Sequence, residues 1–442
     1  MPAAIILAAG LGTRMRSALP KVLHPLAGRP MLRHLLAACE QVFDRIVVVA
    51  GPDMPALERA AAPHPTVVQR ERLGTAHAAL QAASLLEGYG GDVAVLYGDN
   101  PLIRADTLRR LLAGRASAAL CLLATRPADP GRYGRVLPHA DGGIAGIVEW
   151  KDATESERAE PLCNMGVVCA AGPALFGWLR GLRNDNAAGE YYLGDAVAAC
   201  RAGGQRAIAV EAPEHECRGI NNRAELAEAE AQVQRALRDA AMANGATLIR
   251  PDSVSLHHDT RIGQDCTIGP DVVFGPGVSI ADNVEIRAFS HLEGCTVEAG
   301  AVIGPFARLR PGAVVGPGAH VGNFVELKNA VLGAGAKANH LAYLGDATVG
   351  AGANIGAGTI TSNYDGFHKH RTAIGAGVFV GSNSTLVAPL TLGDGSFVAA
   401  GSTVTADVSP DAMAFGRARQ ETRSGMAARF RDARRSPKKD GS

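Results

Sequence analysis

Two stretches of this 442-residue chain carry side chains suited to chemistry. The first is LAAGLGTRM, from Leu7 to Met15, followed by Pro20-Lys21. It comes after an apolar run that reads as a strand. Gly10 and Gly12 let the backbone approach a ligand closely, and exposed amides there suit phosphate or nucleobase contacts. Arg14 and Lys21 put positive charge where a triphosphate would lie. A dinucleotide site fits less well, since the third glycine and an acidic residue about 20 positions on are missing. The second stretch holds Arg310 in ARLRPGA, Glu326 and Lys328 in GNFVELKNA, His340 and Tyr343 in NHLAYLGDA, and Asn354 in NIGAG. Such groups suit an anionic, hydroxylated ligand, and His340 adds an imidazole able to take a proton near neutral pH.

These side chains need frames, and the chain supplies two kinds. Up to about residue 220, apolar runs at Ala3 to Ala9, Arg45 to Ala50, Val93 to Tyr97 and Ala119 to Thr125 alternate with helical spacing at Met31 to Gln41 and Gly74 to Leu86. Alternation of this kind predicts a Rossmann-like α/β domain with a mainly parallel sheet covered on both faces. Ligands in such sheets sit at the carboxyl ends of strands, where the glycine-rich segment falls. From Asn222 to Met242 an Ala-, Glu- and Arg-rich segment predicts one long helix, with Asn222 capping its start and Asn244-Gly245 ending it. The expected division is 1–221, a linker helix over 222–245, and 246–442.

Beyond the helix the period is six. Ile262, Ile268, Phe274, Ile280, Ile286 and Leu292 keep it; after a one-residue slip so do Val297, Ile303, Leu309, Val315, Val321 and Leu327. Ile374, Val380, Leu386, Leu392, Val398 and Val404 resume it. Neither a helix nor a paired strand repeats at six. A parallel β-helix of triangular section does: each six-residue face turns one aliphatic side chain inward, and three faces make a coil. About eight coils are expected, stacked at the ordinary spacing of strands. The segment from Thr361 to Ile374 breaks the count, and SNYDGFHKHR reads as a loop projecting from a corner.

Composition narrows the classes of function. Lys and Arg number 44 against 43 Asp and Glu, a formal net charge of +1 that gives no reason to expect nucleic acid. Only Arg417 to Lys439 is basic, and it reads as a solvated tail. The eight cysteines form no CxxC pair and are expected as reduced, buried thiols. Ile5 to Ala9 lacks a charged leader and is cut by Gly10, and no run approaches the ~18 apolar residues of a membrane span. The expected compartment is the cytoplasm, with no membrane insertion.

LAAGLGTRMRSALPKVL is similar to the signature of sugar-1-phosphate nucleotidylyltransferases. VVQRERLGTAHA, LYGDNPL, YGRV, GIVEWKDA, CNMGV, GEYYLGD and INNR follow in the order shown by bacterial N-acetylglucosamine-1-phosphate uridylyltransferases. From about Arg250 to Arg417 the motifs resemble the glucosamine-1-phosphate acetyltransferase half of the bifunctional enzymes of that family. The resemblance implies acetyl transfer from acetyl-CoA to glucosamine-1-phosphate, then uridylyl transfer from UTP to the product with release of pyrophosphate. UDP-N-acetylglucosamine formed in this way supplies peptidoglycan and lipopolysaccharide.

Carried over by position, the resemblance assigns Leu7, Gly10, Leu11, Gly12, Lys21, Gln69, Gly74 and Thr75 to the nucleotide, and Gly134, Glu149 and Asn164 to the amino sugar. Asp99 and Asn221 would hold Mg²⁺, a hard cation suited to one carboxylate and one amide oxygen when phosphates supply the rest. Asn221 also counts among the nucleotide-site residues. In the second half His340 would be the general base, Arg310 and Lys328 would hold the sugar phosphate, and Tyr343 and Asn354 the sugar. Ala357, Asn363, Tyr364, Ser382, Ala400 and Arg417 match positions that meet coenzyme A. The resemblance further implies a left-handed β-helix and a homotrimer formed through it. Leu11 stands where relatives often carry Lys, and Met165 where Thr is usual. Two other readings stay open at this point: a nucleotidylyltransferase whose β-helix is only regulatory, and a non-catalytic scaffold.

Overall fold

The computed structural model describes residues 1–435 except Glu87. The end of the basic tail, 436–439, therefore lies outside the described residues; from Arg417 to Arg435 the tail is solvent-exposed. The chain divides into two compact units, Met1–Leu237 and the part from Arg238 onward.

The first unit is built on one sheet. Its strands are β1 (Ala3–Leu7), β2 (Arg45–Ala50), β3 (Thr66–Val68), β4 (Asp92–Tyr97), β5 (Leu120–Thr125), β6 (Arg135–Pro138), β7 (Ile144–Val148), β8 (Cys163–Ala171) and β9 (Ala207–Glu211). The order is β9-β5-β8-β4-β1-β2-β3, with the β6-β7 hairpin off this path. β8 runs antiparallel to both neighbours, and the other pairs on the path are parallel. Strand β1 is buried on both sides because its residues alternate between two cores. Ala4 and Ile6 pack with Leu32, Leu35 and Leu36 of helix α1 (Met31–Cys39), while Ala3 and Ile5 pack with Ala76 and Ala79 of α2 (Thr75–Leu80). Burying each such Leu or Ile is worth about 1.5–3 kcal/mol, which is what holds sheet and helices together.

The segment expected as one helix from Gly74 to Leu86 is two, α2 and Ala83–Leu86. At Gln81 and Ala82 the amides bond three residues back, to Ala78 and Ala79, so the turn tightens and the first helix ends.

Helix α3 spans Arg223–Ala243. Asn222 Oδ1 accepts from the amides of Ala224 and Glu225, both at 3.0 Å, the expected cap. Ala229, Leu226 and Val233 pack on Leu26, Met31 and Ile220 of the first unit. Near its end Arg238 donates to Val254 O at 3.2 Å in the second unit.

The second unit is a three-faced prism of parallel strands, mostly two or three residues long, with ten strands on one face and eight on each of the others. Strands His320–Asn323, Lys337–His340 and Asn354–Ile355 belong to the first face; Arg308–Leu309, Glu326–Lys328 and Tyr343–Gly345 to the second; Val331–Leu332 and Ala347–Val349 to the third. The interior differs from the sequence expectation in one respect. The faces bury a second side chain two positions before the aliphatic one, often a small one, as in Ala336 with Ala338, Ala342 with Leu344, and Ala353 with Ile355, and elsewhere a Val, as in Val278 with Ile280. Where the hexad pauses, Thr359 and Thr361 fill the inside, and Thr361 Oγ1 accepts from Gly345 N at 2.8 Å, so a hydroxyl lies inward with its hydrogen bond made. The expected loop follows: Tyr364 pairs with Lys369, and Asp365 Oδ1 accepts the amides of Phe367 and His368 at 2.8 and 2.7 Å.

Candidate functional site

Strands β1 and β4 pair with Leu7 opposite Tyr97 and end at the same level. The glycine-rich loop and the Gly98-Asp99 turn therefore leave the sheet side by side. Lys21 reaches back into this space. Its ammonium donates to Asp99 and, at 3.2 Å, to Asn221 Oδ1, which also accepts from Arg14 at 2.9 Å. The Asn221 amide nitrogen donates to Gly219 O and to Glu225, each at 3.2 Å, so its oxygen is the atom turned toward Asp99 and Lys21. One carboxylate and one amide oxygen facing the same point are a donor set that fits Mg²⁺.

Two cavities meet there. The smaller, about 210 Å³, is lined by Leu7, Gly10, Lys21, Gln69, Gly74 and Thr75; the larger, about 510 Å³, by Gly134, Glu149, Asn164 and Asn221. Tyr97 and Asp99 line both. Leu11 and Gly12 stand at the loop's crest instead: Leu11 is 58% exposed. Gly12 packs so tightly on Lys21 that a Cβ would lie 2.5 Å from that residue's own Cβ. Met165 is buried and lines the larger cavity.

The larger cavity holds charge reluctantly. Burial, with the carboxylates of Asp195 and Asp152 nearby, raises the Glu149 carboxyl above its ordinary range. Burial pushes the Tyr97 phenol up to about 12, against its hydrogen bond to Thr75, so it is a neutral donor at the junction. Sequence reasoning missed Tyr97, and also Arg72, whose Nε donates to Ala9 O at 3.0 Å on the wall of the smaller cavity. Both lie inside quoted motifs, Arg72 in VVQRERLGTAHA and Tyr97 in LYGDNPL, so the motifs were available as a signal for each.

On the prism, the second face and its two edges gather the other predicted residues. Arg310 follows Arg308–Leu309, and Lys328 and Tyr343 lie on the next two strands of that face. Arg310 is paired with Glu326 at 2.8 Å. Lys369 from the projecting loop meets Lys328 and, through a hydrogen bond and like charge, holds it below the ordinary lysine range. Two ammonium groups side by side on an exposed face favour an anion between them. Lys369 was not anticipated.

His340 ends the strand Lys337–His340 at the edge where the first face turns into the second. Its Nδ1 lies 2.7 Å from Asn323 Oδ1 of the preceding coil. Asn354 lies on the first face, one coil on, in register with Lys337. Along the same edge Ala357, Ser382 and Ala400 stack on successive coils, joined by Asn383 N to Ala357 O and Gly401 N to Ser382 O at 2.7 and 2.8 Å. In the opposite direction the edge changes character: Phe289, Phe306, Phe324 and Leu341 hold its left-handed positions, all of them substantially exposed. The three rings stack at 4.9 and 5.2 Å. Asn363 and Asn329 both donate to the buried Asp346 carboxylate at the other edge, Tyr364 is exposed in the loop, and Arg417 is exposed beyond the last coil. The structure thus brings Arg310, Lys328 and Tyr343 together on one face, and Ala357, Ser382 and Ala400 along one edge.

Residues 4–191 match the MobA-like NTP transferase domain family. Residues 259–294 and 294–329 match the bacterial transferase hexapeptide family, and 371–406 the hexapeptide repeat of succinyl-transferase. The chain is 63% identical to the "Bifunctional protein GlmU" of Gluconacetobacter diazotrophicus, over 99% of its own length and 96% of the relative's. It is 61% identical to the protein of that name from Acidiphilium cryptum, over 97% and 98% of the two chains. With that of Paramagnetospirillum magneticum it shares 56% identity over 99% of each. The hexapeptide matches identify the three-faced prism as a left-handed parallel β-helix.

Proposed function

The chain belongs to the bifunctional GlmU family and is a bifunctional transferase of UDP-N-acetylglucosamine synthesis, and on that premise we propose how its two sites divide the work. The prism acetylates glucosamine-1-phosphate. Arg310, Lys328 and Lys369 take the phosphate, and Tyr343 and Asn354 the sugar. The sugar's ammonium gives its first proton to water, and Nε2 of His340 takes the second as the free amine attacks. The amine nitrogen bonds to the carbonyl carbon of acetyl-CoA, the C–S bond breaks, and the thiolate leaves with the proton that the imidazolium returns. The cofactor lies along the edge of Ala357, Ser382 and Ala400, where small residues leave room, with Asn363, Tyr364 and Arg417 beside it.

The sheet site then joins the product to UTP. The smaller cavity, with Gln69, Gly74 and Thr75 in its wall and the backbone of Leu11 and Gly12 above it, takes uracil and ribose. The larger takes the acetylated sugar against Gly134, Glu149 and Asn164. A sugar phosphate oxygen attacks the α-phosphorus, and the bond to the bridging oxygen breaks to release pyrophosphate. Asp99 and Asn221 would hold Mg²⁺, which supplies neutralisation of the phosphate charge. Lys21 and Arg14 add charge at the same point, and positioning does the rest.

The observation that carries this reading is the junction: Asp99 is common to both cavities, and Lys21 and Asn221 meet it there. A coupled assay with glucosamine-1-phosphate, acetyl-CoA and UTP tests it. CoA should appear without UTP, whereas pyrophosphate should require all three substrates. Pyrophosphate released from glucosamine-1-phosphate and UTP alone, at the full rate, would reverse the order.

The stacked Phe289, Phe306 and Phe324 support a homotrimer. A non-glycine residue in the left-handed region costs roughly 1–2 kcal/mol, so aromatic rings placed there and left exposed imply a surface that is covered. We assign that cover to neighbouring prisms of the same chain. No helix among the described residues is long and apolar enough to cross a membrane. Both co-substrates are cytoplasmic metabolites, and we place the enzyme there.

A further inference from the structure

Asn323 and His340 occupy the same register position on consecutive coils of the first face. Between Asn323 Oδ1 and His340 Nδ1 the separation is 2.7 Å. A carbonyl oxygen only accepts, so this contact requires the proton on Nδ1 and leaves the lone pair on Nε2. We infer that Asn323 is a positioning residue for acetyl transfer: it fixes the tautomer and ring plane of His340 so that Nε2 faces the sugar nitrogen. The inference rests on the reading of His340 as the base.

The surroundings make Asn323 a rigid partner. A Cβ on Gly322 would lie 2.0 Å from Asn339 O, so the two strands lie too close there to accommodate a side chain between them, and their register is pinned just before the contact. Both residues line a cavity of about 450 Å³ with Phe306, Phe324 and Arg287. The Arg287 guanidinium is engaged by Glu285 at 2.9 Å. Titratable side chains on the adjoining strands are His320 and Lys337 on the first face, with Glu326, Lys328 and Tyr343 on the second.

The choice of an amide has a chemical reason. A carboxylate at position 323 would orient the ring equally well but would also stabilise the imidazolium. The proton taken from the sugar has to pass on to the departing thiolate, and an imidazolium held by a full negative charge gives it up less readily. The amide orients without charging.

Acetyl transfer by the full chain, followed across pH, tests the assignment. Asn323→Leu keeps the volume and removes the acceptor; kcat should fall about 100-fold with KM for both substrates little changed. Asn323→Asp keeps an acceptor on Nδ1, so it should retain activity within about tenfold of the parent at its own optimum, with the acid limb of kcat/KM moved to higher pH. UTP turnover and the calorimetric midpoint of the prism report that each variant is folded. A wild-type kcat in Asn323→Leu, or an Asn323→Asp variant as inactive as the Leu one, would overturn the assignment. His340→Ala separates the two readings. If it keeps acetyl transfer, the base itself is wrong; if it loses transfer while Asn323→Leu does not, only the positioning role falls.

Discussion

The two sites of this chain are assembled on different principles. In the sheet unit, Lys21 meets Asn221 across 200 residues of sequence and Asp99 across 78, and none of the three lies within a strand of the sheet. In the prism, Asn323 meets His340 across 17 residues, Arg310 meets Glu326 across 16, and Asp346 meets Asn329 and Asn363 across 17 each. Each of these four prism contacts is one coil long. The sheet site depends on loops that tertiary packing must hold in place; the prism site follows from register, and register is enforced by backbone hydrogen bonds from each coil to the next. A perturbation should therefore spread through the first site and stay local in the second.

The sharpest break between them is chemical. His340→Ala removes a proton acceptor that only acetyl transfer uses, so CoA release should fall about 1,000-fold while UTP turnover is unchanged. Loss of both activities in a folded variant would deny the division. Asp99→Ala should act in the reverse sense. It removes the charged oxygen at the junction of the two cavities and leaves the Lys21 ammonium without its carboxylate, so uridylyl transfer should drop about 100-fold with CoA release intact. Chelation of divalent cations should reproduce that split, and an uridylyl activity indifferent to chelator would dissolve the metal assignment.

How much of this could be read from the sequence follows from the same contrast. The period of six and its slip at Leu292–Val297 mark coils whose pairing steps are 17 or 18 residues. The step from Asn323 to His340 is 17 because of a second short interval, Leu327 to Leu332, which the count of sixes did not include, so counting 18 back from His340 gives Gly322 and only the pairing itself identifies Asn323. The second inward residue was hidden on many faces because Ala and Ser, as at Ala301, Ala336 and Ser384, look like surface or turn residues until a neighbouring coil covers them. In the sheet unit no arithmetic leads from Lys21 to Asn221. Only the order of motifs pointed there, and Tyr97, which joins the two cavities, stands in LYGDNPL beside Asp99 with nothing in its own side chain to mark it as part of the site. Lys369 was obscured in another way: it sits in the loop that interrupts the period, and only folding returns it to Lys328.

Glycine substitutions sharpen the comparison at a lower level. Gly74 has φ of +112°, and a Cβ there would lie 2.5 Å from Tyr191 O, the same carbonyl that accepts from Ala76 N. Gly74→Ala must move backbone on both sides of the smaller cavity, and uridylyl transfer should fall about tenfold or more. Gly352, at a prism corner, has φ of +67° with nothing within 4 Å of a Cβ. Gly352→Ala should cost only the left-handed penalty of about 1 kcal/mol, seen in the melting of the prism and not in either rate. Equal losses of activity in the two variants would mean that loop-built and register-built sites do not differ in this way.

The smallest effect, and the one that distinguishes the two environments most directly, is the pH dependence of stability. Glu149 and Asp346 are both withdrawn from water, yet they titrate in opposite directions. Burial and the neighbouring Asp195 and Asp152 carboxylates raise Glu149. Burial also opposes ionisation of Asp346, but hydrogen bonds from Asn329 and Asn363 and the charges of Lys328 and Lys369 outweigh it and hold the carboxyl below its ordinary range. A raised carboxyl binds its proton more tightly in the folded chain, so its contribution to stability is complete below the ordinary carboxylate range and is lost as pH rises through the raised value. A lowered carboxyl contributes above that range and loses its contribution as pH falls through the depressed value. Scanning calorimetry of the full chain from about pH 4 to about pH 8 should thus show Glu149→Gln gaining on the parent as pH rises. Asp346→Asn should lag the parent most at the alkaline end and close the gap toward acid. If both differences changed with pH in the same sense, the contrast between a cavity that resists charge and an edge that fixes it would be wrong.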